Sequence, residues 1–303
     1  MSVKLKPVKE QVIVITGASS GIGLATAEEA AERGAMLVLG ARSARALNEI
    51  VTKLSDRGCA AIAVECDVTE REQVEALGQA AIARFGRIDT WVNNAGVSIY
   101  GRIEDVSEAD ARRLFDTNFW GVVNGSLVAM PYLRRSGGAL INVGSEVSDA
   151  VVPLQGFYSA SKHAVKGFTD ALRVEVVEVD EAPVSITLIQ PTAVNTPFPQ
   201  HAKNYMSQEP KLPTPQIEPK KVADAILDAA ENPTRDTKVG MMAKINTAAF
   251  KFAPGMADKM AAKYVEKQQY DEPPRNPDGA LYQPSERTHV VARTHGTGGK
   301  EPE

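Results

Sequence analysis

Short runs of apolar, mostly β-branched residues alternate with longer amphipathic stretches from residue 12 to about residue 241. The apolar runs are nearly continuous, which is typical of strands that are covered on both faces of a sheet. They predict seven strands, at Val12–Thr16, Met36–Gly40, Ala60–Glu65, Thr90–Asn93, Ala139–Val143, Val184–Gln190 and, with the weakest pattern, Thr237–Met241. Helical spacing between the runs predicts strand-helix-strand units, and such units form a parallel sheet.

The hydrophobic pattern therefore predicts an α/β fold, with one doubly wound parallel sheet of about seven strands and helices on both faces. We expect residues 1–242 to form the main domain and residues 243–270 to form an added helical segment. Residues 271–303 are rich in proline, glycine and charge. This composition predicts a flexible tail, because it offers little apolar surface to bury.

Composition narrows the possible partners and the location. The 303 residues carry a net charge of −4, so the overall field does not favour binding to nucleic acid. No run of eighteen apolar residues is present, and we expect neither a membrane span nor a secretion signal. Cys59 and Cys66 flank a predicted strand and would lie roughly 23 Å apart, too far for a disulfide. Reduced thiols fit a cytoplasmic protein.

Glycines mark the end of the first predicted strand, in the run Thr16-Gly17-Ala18-Ser19-Ser20-Gly21-Ile22-Gly23. A glycine-rich turn between a strand and a helix lets the backbone approach a pyrophosphate, which then lies at the helix N-terminus. The spacing differs from the commonest dinucleotide fingerprint, and a plain tight turn is an equal alternative for the motif alone. Its place after the first strand favours a nucleotide site.

Two further strand ends carry polar residues at the same edge of the predicted sheet. The second strand is followed by Ala41-Arg42, where a carboxylate would suit an unphosphorylated ribose and an arginine suits a 2′-phosphate. Arg42 therefore favours NADP(H), with a solvated surface arginine as the alternative. The fourth strand ends in Asn93-Asn94-Ala95-Gly96, residue types that are also common in ordinary turns.

A serine, a tyrosine and a lysine form the candidate catalytic group. Ser145 follows the fifth strand, and Tyr158 and Lys162 stand at i and i+4, on one face of a predicted helix. The lysine is expected to favour the phenolate and so to lower the pKa of Tyr158 from about 10 towards about 7. Tyr158 could then exchange a proton near neutral pH. An ordinary amphipathic helix is the alternative for this spacing alone.

In order and spacing, the motifs T-G-x-x-x-G-x-G, N-N-A-G and serine with Y-x-x-x-K resemble those of the short-chain dehydrogenases/reductases, over roughly residues 8 to 240. The resemblance implies a Rossmann-like fold in which residues 1–242 bind a dinucleotide and carry catalysis. By the same resemblance, Ser145 holds the substrate oxygen, Tyr158 donates or accepts the proton, and Lys162 binds the nicotinamide ribose. Asn118 matches the residue that supports a water beside that lysine.

The resemblance also implies a set of cofactor-binding residues along the strand ends. They are Gly17, Ser19, Ser20, Gly21, Ile22, Gly23, Arg42, Asp67, Val68, Asn94, Ala95, Gly96, Tyr158, Lys162, Pro191, Val194 and Thr196. The chain departs from the family pattern at three places. Thr192 replaces a usual glycine, Glu146 stands beside Ser145 where small hydroxyl residues are frequent, and residues 243–303 replace a short Gly-Gly finish.

These features predict an NADP(H)-dependent oxidoreductase that transfers a hydride between nicotinamide and a carbonyl or secondary alcohol. The alternative is a nucleotide-binding regulatory or scaffold protein that keeps the fold with little turnover. The expected partners are a small, apolar carbonyl or alcohol substrate and further copies of the chain, in a dimer or tetramer. We expect no nucleic acid, no membrane association and no metal, since the four histidines show no ligand spacing.

Overall fold

A computed structural model of the chain describes residues 3–284. The strands are β1 (Val12–Thr16), β2 (Met36–Ala41), β3 (Ala61–Glu65), β4 (Thr90–Asn93), β5 (Ile99–Tyr100), β6 (Gly138–Val143), β7 (Val184–Pro191), β8 (Lys203–Asn204) and β9 (Asp236–Val239). Seven of them form one parallel sheet in the order β3-β2-β1-β4-β6-β7-β9, and β5 pairs with β8. The predicted seven-stranded parallel sheet is confirmed.

Helices cover both faces of this sheet. They are α1 (Gly21–Glu32), α2 (Ala44–Ser55), α3 (Arg71–Phe85), α4 (Glu108–Phe115), α5 (Gly121–Ser136), α6 (Gly156–Arg173), α7 (Phe198–His201), α8 (Pro219–Glu231), α9 (Met241–Phe252) and α10 (Pro254–Ala262). The apolar side chains of α1, α2 and α8 pack on one face, and those of α3, α5 and α6 pack on the other.

Strand β1 shows why the apolar runs are continuous. Ile13 and Ile15 pack towards α1, α2 and α8, whereas Val12 and Val14 pack towards α3 and α5. Successive side chains of a strand point to opposite faces, so a strand buried on both sides needs an apolar residue at every position. All four side chains are fully buried.

The strand order reverses at β1, which pairs with β2 on one side and with β4 on the other. In such sheets a crevice opens beyond the carboxyl ends of the two central strands, because their following connections leave in opposite directions. The glycine turn follows β1, and the N-N-A-G run spans the end of β4. The topology therefore brings both motifs to the crevice.

The C-terminal extension is helical, as predicted from its spacing. Helices α9 and α10 meet at Ala253, immediately before the Pro254-Gly255 pair that interrupts the helical pattern. Few of their side chains are buried, among them Ala243, Thr247 and Ala257. Much of the apolar surface of the two helices therefore remains exposed in the single chain.

Residues 271–284 pack against the main domain, which differs from the flexible tail expected from their composition. Leu281 is fully buried among Val97, Ile99 and Leu114. The backbone N–H of Ala280 donates to the carbonyl of His201 at 2.8 Å, and further backbone bonds fix the neighbouring chain. One buried leucine and these backbone bonds order the segment. The average composition of residues 271–303 does not reveal such individual contacts. The rest of the predicted tail, 285–303, lies outside the described residues.

Leu281→Ala should release this C-terminal segment. Removing a fully buried leucine side chain costs about 2–5 kcal/mol, and the segment has few other apolar contacts to compensate. We expect limited proteolysis to cleave the variant within residues 271–284 much faster than the wild type. Leu127→Ala, at a position that is 42% exposed on α5, is the matched control and should leave the rate unchanged. Equal cleavage rates in wild type and Leu281→Ala would contradict the docking role.

Candidate active site

Nearly all the predicted site residues line one cleft at the carboxyl edge of the sheet. Of the catalytic and cofactor-binding residues named from the sequence, only Gly23 and Asn118 do not line it. Gly23 lies against the carbonyl of Gly17 in the glycine turn, and the side chain of Asn118 donates to Ser161 of α6. The fold therefore brings together predicted site residues that are distant along the chain, from Gly17 to Thr196.

The glycine turn has a conformation that side chains would prevent. Gly17 has a φ of +65°, and a Cβ there would lie 2.7 Å from the Cα of Ala95. A Cβ on Gly23 would collide with the carbonyl of Gly17. Helix α1 then begins at Gly21, and Ser20 at its N-cap makes no side-chain capping bond. Its first N–H groups are therefore available to an anion in the cleft.

Asn94 fixes this turn to the neighbouring strand. Its side-chain amide donates to the carbonyls of Thr16 at 3.0 Å and Gly17 at 3.1 Å. The Thr16 hydroxyl in turn accepts from the backbone N–H groups of Asn94 and Ala95, at 3.0 and 3.2 Å. The ends of β1 and β4 are thus held together by side chains as well as by the sheet.

The candidate catalytic residues meet where β6 ends and α6 begins. Ser145, two residues after β6, lines the cleft together with Tyr158, and its hydroxyl accepts from the backbone N–H of Val147 at 3.3 Å. Lys162 lies one turn further along α6, and its Nζ donates to the carbonyl of Val143 at 2.9 Å. The same Nζ is 5.8 Å from the centre of the Tyr158 ring. The three groups therefore converge on one small region of the cleft.

Burial dominates the electrostatics of the tyrosine and the lysine. Loss of solvation raises the pKa of Tyr158 to about 12, although the polar side chain of Ser145 opposes the shift. Loss of solvation also lowers the pKa of Lys162 to about 8. The expected lowering of the tyrosine pKa by the lysine is therefore not found in the protein alone. A buried environment disfavours both charged forms, and the ammonium itself is weakened as a source of positive charge.

The side chain of Asn118 forms a hydrogen bond to helix α6. It lies in a π-helical turn, Asp116–Trp120, that follows α4. Its Oδ1 accepts from the N–H of Val97 at 2.8 Å, and its Nδ2 donates to the carbonyl of Val97 at 2.9 Å and to Ser161 at 3.0 Å. These bonds tie the segment after β4 to α6, next to Lys162.

At the other end of the cleft, Arg42 contacts the C-terminal segment. Its guanidinium donates to the carbonyls of Leu281 at 3.3 Å and Tyr282 at 3.2 Å, and also to that of Ala280. Asp67 nearby forms an ion pair with Arg113 at 2.6 Å. The predicted phosphate-binding residue therefore has backbone partners that the sequence did not indicate.

Two of the departures from the family pattern contact each other. The Thr192 hydroxyl donates to Oε2 of Glu146 at 3.0 Å, and Asn246 of α9 donates to the same oxygen at 3.0 Å. Burial raises the pKa of Glu146, against these two bonds. The added hydroxyl and the added carboxyl thus form a matched pair beside Ser145, joined to the extension.

Three of the cleft-lining residues that sequence reasoning missed have informative contacts or electrostatics. Gln155 binds Gln268 of the extension at 3.0 Å, and Ala280 comes from the segment expected to be flexible. Burial, together with the charge of Arg42, lowers the pKa of His201 to about 4, so this ring is neutral near pH 7. Each depends on a contact between distant parts of the chain, and no local motif signals such contacts.

Within residues 3–284, no group of three or more His, Cys, Asp or Glu side chains is arranged to hold a metal ion. None of the helices in that range is long and apolar enough to span a membrane.

Known proteins show a consistent likeness to this chain. The family model of the short chain dehydrogenases matches residues 11–206. An "uncharacterized oxidoreductase YxnA" of Bacillus subtilis (strain 168) is 45% identical over 284 residues, which cover 92% of this chain and 80% of the relative. An 11-beta-hydroxysteroid dehydrogenase A of Sesamum indicum is 40% identical, over 63% of this chain and 54% of that protein.

Solved structures extend the likeness to the fold. An alcohol dehydrogenase from the archaeon Thermococcus sibiricus, complexed with 5-hydroxy-NADP, has a TM-score of 0.66 and 29% identity, and the match covers 76% of this chain and 94% of that one. A short chain dehydrogenase/reductase from Burkholderia phymatum, in complex with NAD, has a TM-score of 0.73 and 26% identity, over 84% and 96% of the two chains.

Lys162 should make stability depend on pH. Burial lowers its pKa from 10.5 to about 8 in the folded protein. Between these values the unfolded chain binds more protons, so the free energy of unfolding rises with pH. We expect the free energy of unfolding of the wild type, relative to that of Lys162→Met, to rise by about 1–2 kcal/mol from about pH 8 to about pH 9.5. Urea denaturation at both pH values measures the two free energies. If their difference stays constant, the pKa of Lys162 is that of an ordinary lysine.

Proposed function

The chain belongs to the short-chain dehydrogenase family of oxidoreductases, and we propose that it transfers a hydride between NADP(H) and a carbonyl or secondary alcohol. The observation that carries this proposal is the convergence of Ser145, Tyr158 and Lys162 at one end of a cleft. The other end begins at a glycine turn with free helical N–H groups. A proton donor and a dinucleotide site thus share one space.

The residues present fit a nicotinamide dinucleotide. The turn at Gly17 and the uncapped start of α1 suit a pyrophosphate. Asp67 and Val68 line the cleft where an adenine would lie, and Pro191, Val194 and Thr196 line it where the nicotinamide would lie. When bound, the nicotinamide supplies or accepts the hydride.

The protein's own groups handle the substrate oxygen and its proton. During reduction Ser145 holds the carbonyl oxygen by a hydrogen bond, and Tyr158 gives its hydroxyl proton to that oxygen as negative charge develops. The pKa of about 12 for Tyr158, raised by burial, keeps the proton on the phenol before reaction. Lys162, held by the Val143 carbonyl beside the tyrosine ring, binds the nicotinamide ribose. During oxidation the same proton moves in the opposite direction.

Arg42 supports NADP(H) as the preferred cofactor. It follows Ala41 at the end of β2, a position where no carboxylate is present to accept from a ribose hydroxyl. Its guanidinium lines the cleft and could bind a 2′-phosphate by two parallel hydrogen bonds. The phosphate would compete with the carbonyls of residues 280–282 for the same N–H groups.

We also propose that the chain forms a homo-oligomer. Trp120, which is 53% exposed, precedes α5, and Leu127 on that helix is also exposed. Val174 and Val179, exposed as well, follow α6. Large apolar side chains at two neighbouring helices are typical of a surface that a partner covers. The contact between subunits would stabilise the position of α6, the helix that carries Tyr158.

Tyr158→Phe should keep cofactor binding and lose turnover. The change removes only the hydroxyl, and general acid catalysis is typically worth about 10²–10⁴-fold in rate. We expect kcat to fall by at least about a hundredfold for any carbonyl substrate, while the Kd for NADPH from fluorescence titration stays within about twofold. Full turnover in the variant would contradict the proton-donor role. Tyr132→Phe, a change of the same size on α5 and outside the lining of the cleft, is the control.

Arg42→Ala should weaken NADPH binding and spare NADH. Loss of a bidentate contact with a phosphate costs several-fold in affinity or more, whereas NADH lacks that phosphate. Calorimetric titration with both cofactors measures the ratio of the two Kd values. A chain ending at residue 275 lacks the competing carbonyls and should bind NADPH more tightly than the wild type, with NADH unchanged. Equal losses for both cofactors in Arg42→Ala would show that Arg42 serves only to hold the C-terminal segment.

A further inference from the structure

A second cavity, here called the side cavity, opens next to the catalytic cleft. The two share part of their walls, including Glu146, Val147 and Thr192. The opposite wall of the side cavity comes from the C-terminal extension, with Ile245 and Phe250 of α9 and Met260 of α10 among its residues. Most of this lining is apolar. A substrate whose reacting carbon lies at Tyr158 could therefore place an apolar body in the side cavity.

Glu146 is the charged group at the junction of the two spaces. Its side chain is only 8% exposed. Oε2 accepts from Thr192 and Asn246, as described above, while Oε1 has no hydrogen-bond partner among residues 3–284. Glu146 directly follows Ser145 in the chain and lines the same cleft as Tyr158. One of its oxygens is thus fixed by the protein, and the other remains free for a ligand.

We propose that Glu146 is a specificity-determining residue whose Oε1 accepts a hydrogen bond from a hydroxyl on the carbon next to the reacting carbonyl. The substrate class that follows is a bulky apolar α-hydroxy ketone, or the corresponding diol in the reverse direction. This inference rests on the proposed oxidoreductase function. It goes further in naming a recognition group and in assigning one wall of the substrate site to the extension.

The energetics of a buried acceptor favour such a donor. A carboxyl oxygen in a largely apolar space loses its water when a ligand enters, and an unpaired buried acceptor is costly. A ligand with a hydroxyl at this point restores the hydrogen bond, whereas one without it leaves the oxygen unpaired. Sites of this kind discriminate strongly against analogues that lack the matching group.

Glu146→Gln replaces the hydrogen-bond acceptor that faces the cavity with a donor, and the side chain keeps nearly the same shape. Asn246 offers an N–H to the side chain at position 146, so the glutamine oxygen would turn towards Asn246 and Thr192. The glutamine NH₂ would then face the cavity as a donor in place of an acceptor. The variant therefore tests recognition with little change in packing. Asp149→Asn is the matched control, because Asp149 lies three residues further on and is paired with Lys166 and Gln190 instead.

The experiment compares 2-hydroxycyclododecanone with cyclododecanone, which differ only in the neighbouring hydroxyl. Binding of each ketone to the full chain saturated with NADP⁺ is measured by calorimetry, and kcat/KM is measured by NADPH consumption. In the wild type we expect a preference for the hydroxy ketone of about tenfold or more. Glu146→Gln should lose that preference through weaker binding of the hydroxy ketone, while cyclododecanone changes by less than about threefold. Asp149→Asn should keep the preference.

The possible outcomes separate recognition from a structural role and from the proposed function. Equal binding of the two ketones by the wild type, or an unchanged preference in Glu146→Gln, would overturn the inference. A loss that is equal for both ketones would also overturn it, because it would show that Glu146 only anchors α9. If neither ketone is reduced but calorimetry shows the preference and its loss in the variant, the recognition role stands and the proposed turnover fails for this class.

Discussion

The hydrogen bonds between Asn94 and the end of β1 fix the geometry on which the site depends. They join the glycine turn after β1 to the end of β4, the first strand of the other half of the sheet. The strand order reverses between these two strands. The Thr16 hydroxyl adds bonds to Val92 and Ala95 at the same place. Because these bonds hold the turn, they also fix the direction of the first N–H groups of α1 relative to β4.

Much of the fold and the core of the site could be predicted from local sequence. Strands such as β1 are apolar at every position because helices cover both faces, and the carboxyl ends of parallel strands necessarily share one edge. The motifs at these ends therefore had to meet. The docking of Leu281 could not be predicted in this way, since it depends on a gap between distant residues. The same holds for the contact between Glu146 and Asn246, which lie a hundred positions apart.

The pair formed by Tyr158 and Lys162 shows the limit of reasoning from spacing alone. One helical turn between them predicts a lysine that stabilises the phenolate, and in water that attraction would be the main effect. In the closed interior, loss of solvation acts on each group separately and shifts both pKa values towards the neutral forms. Spacing gives the distance between two charges, but burial decides whether the charges exist. A neutral, protonated Tyr158 is the form that reduction of a carbonyl requires.

The C-terminal residues act at both ends of the cleft, which gives the added length a physical meaning. At the end proposed for the substrate, Asn246 binds Glu146, and Gln268 binds Gln155 just before α6. At the end proposed for the adenosine, the carbonyls of residues 280–282 hold Arg42. A change in the position of the extension would therefore alter the proposed substrate wall and the proposed phosphate site together. The bonds of Arg42 are made to backbone carbonyls, so a phosphate could replace them without opening the hydrophobic core that holds the sheet.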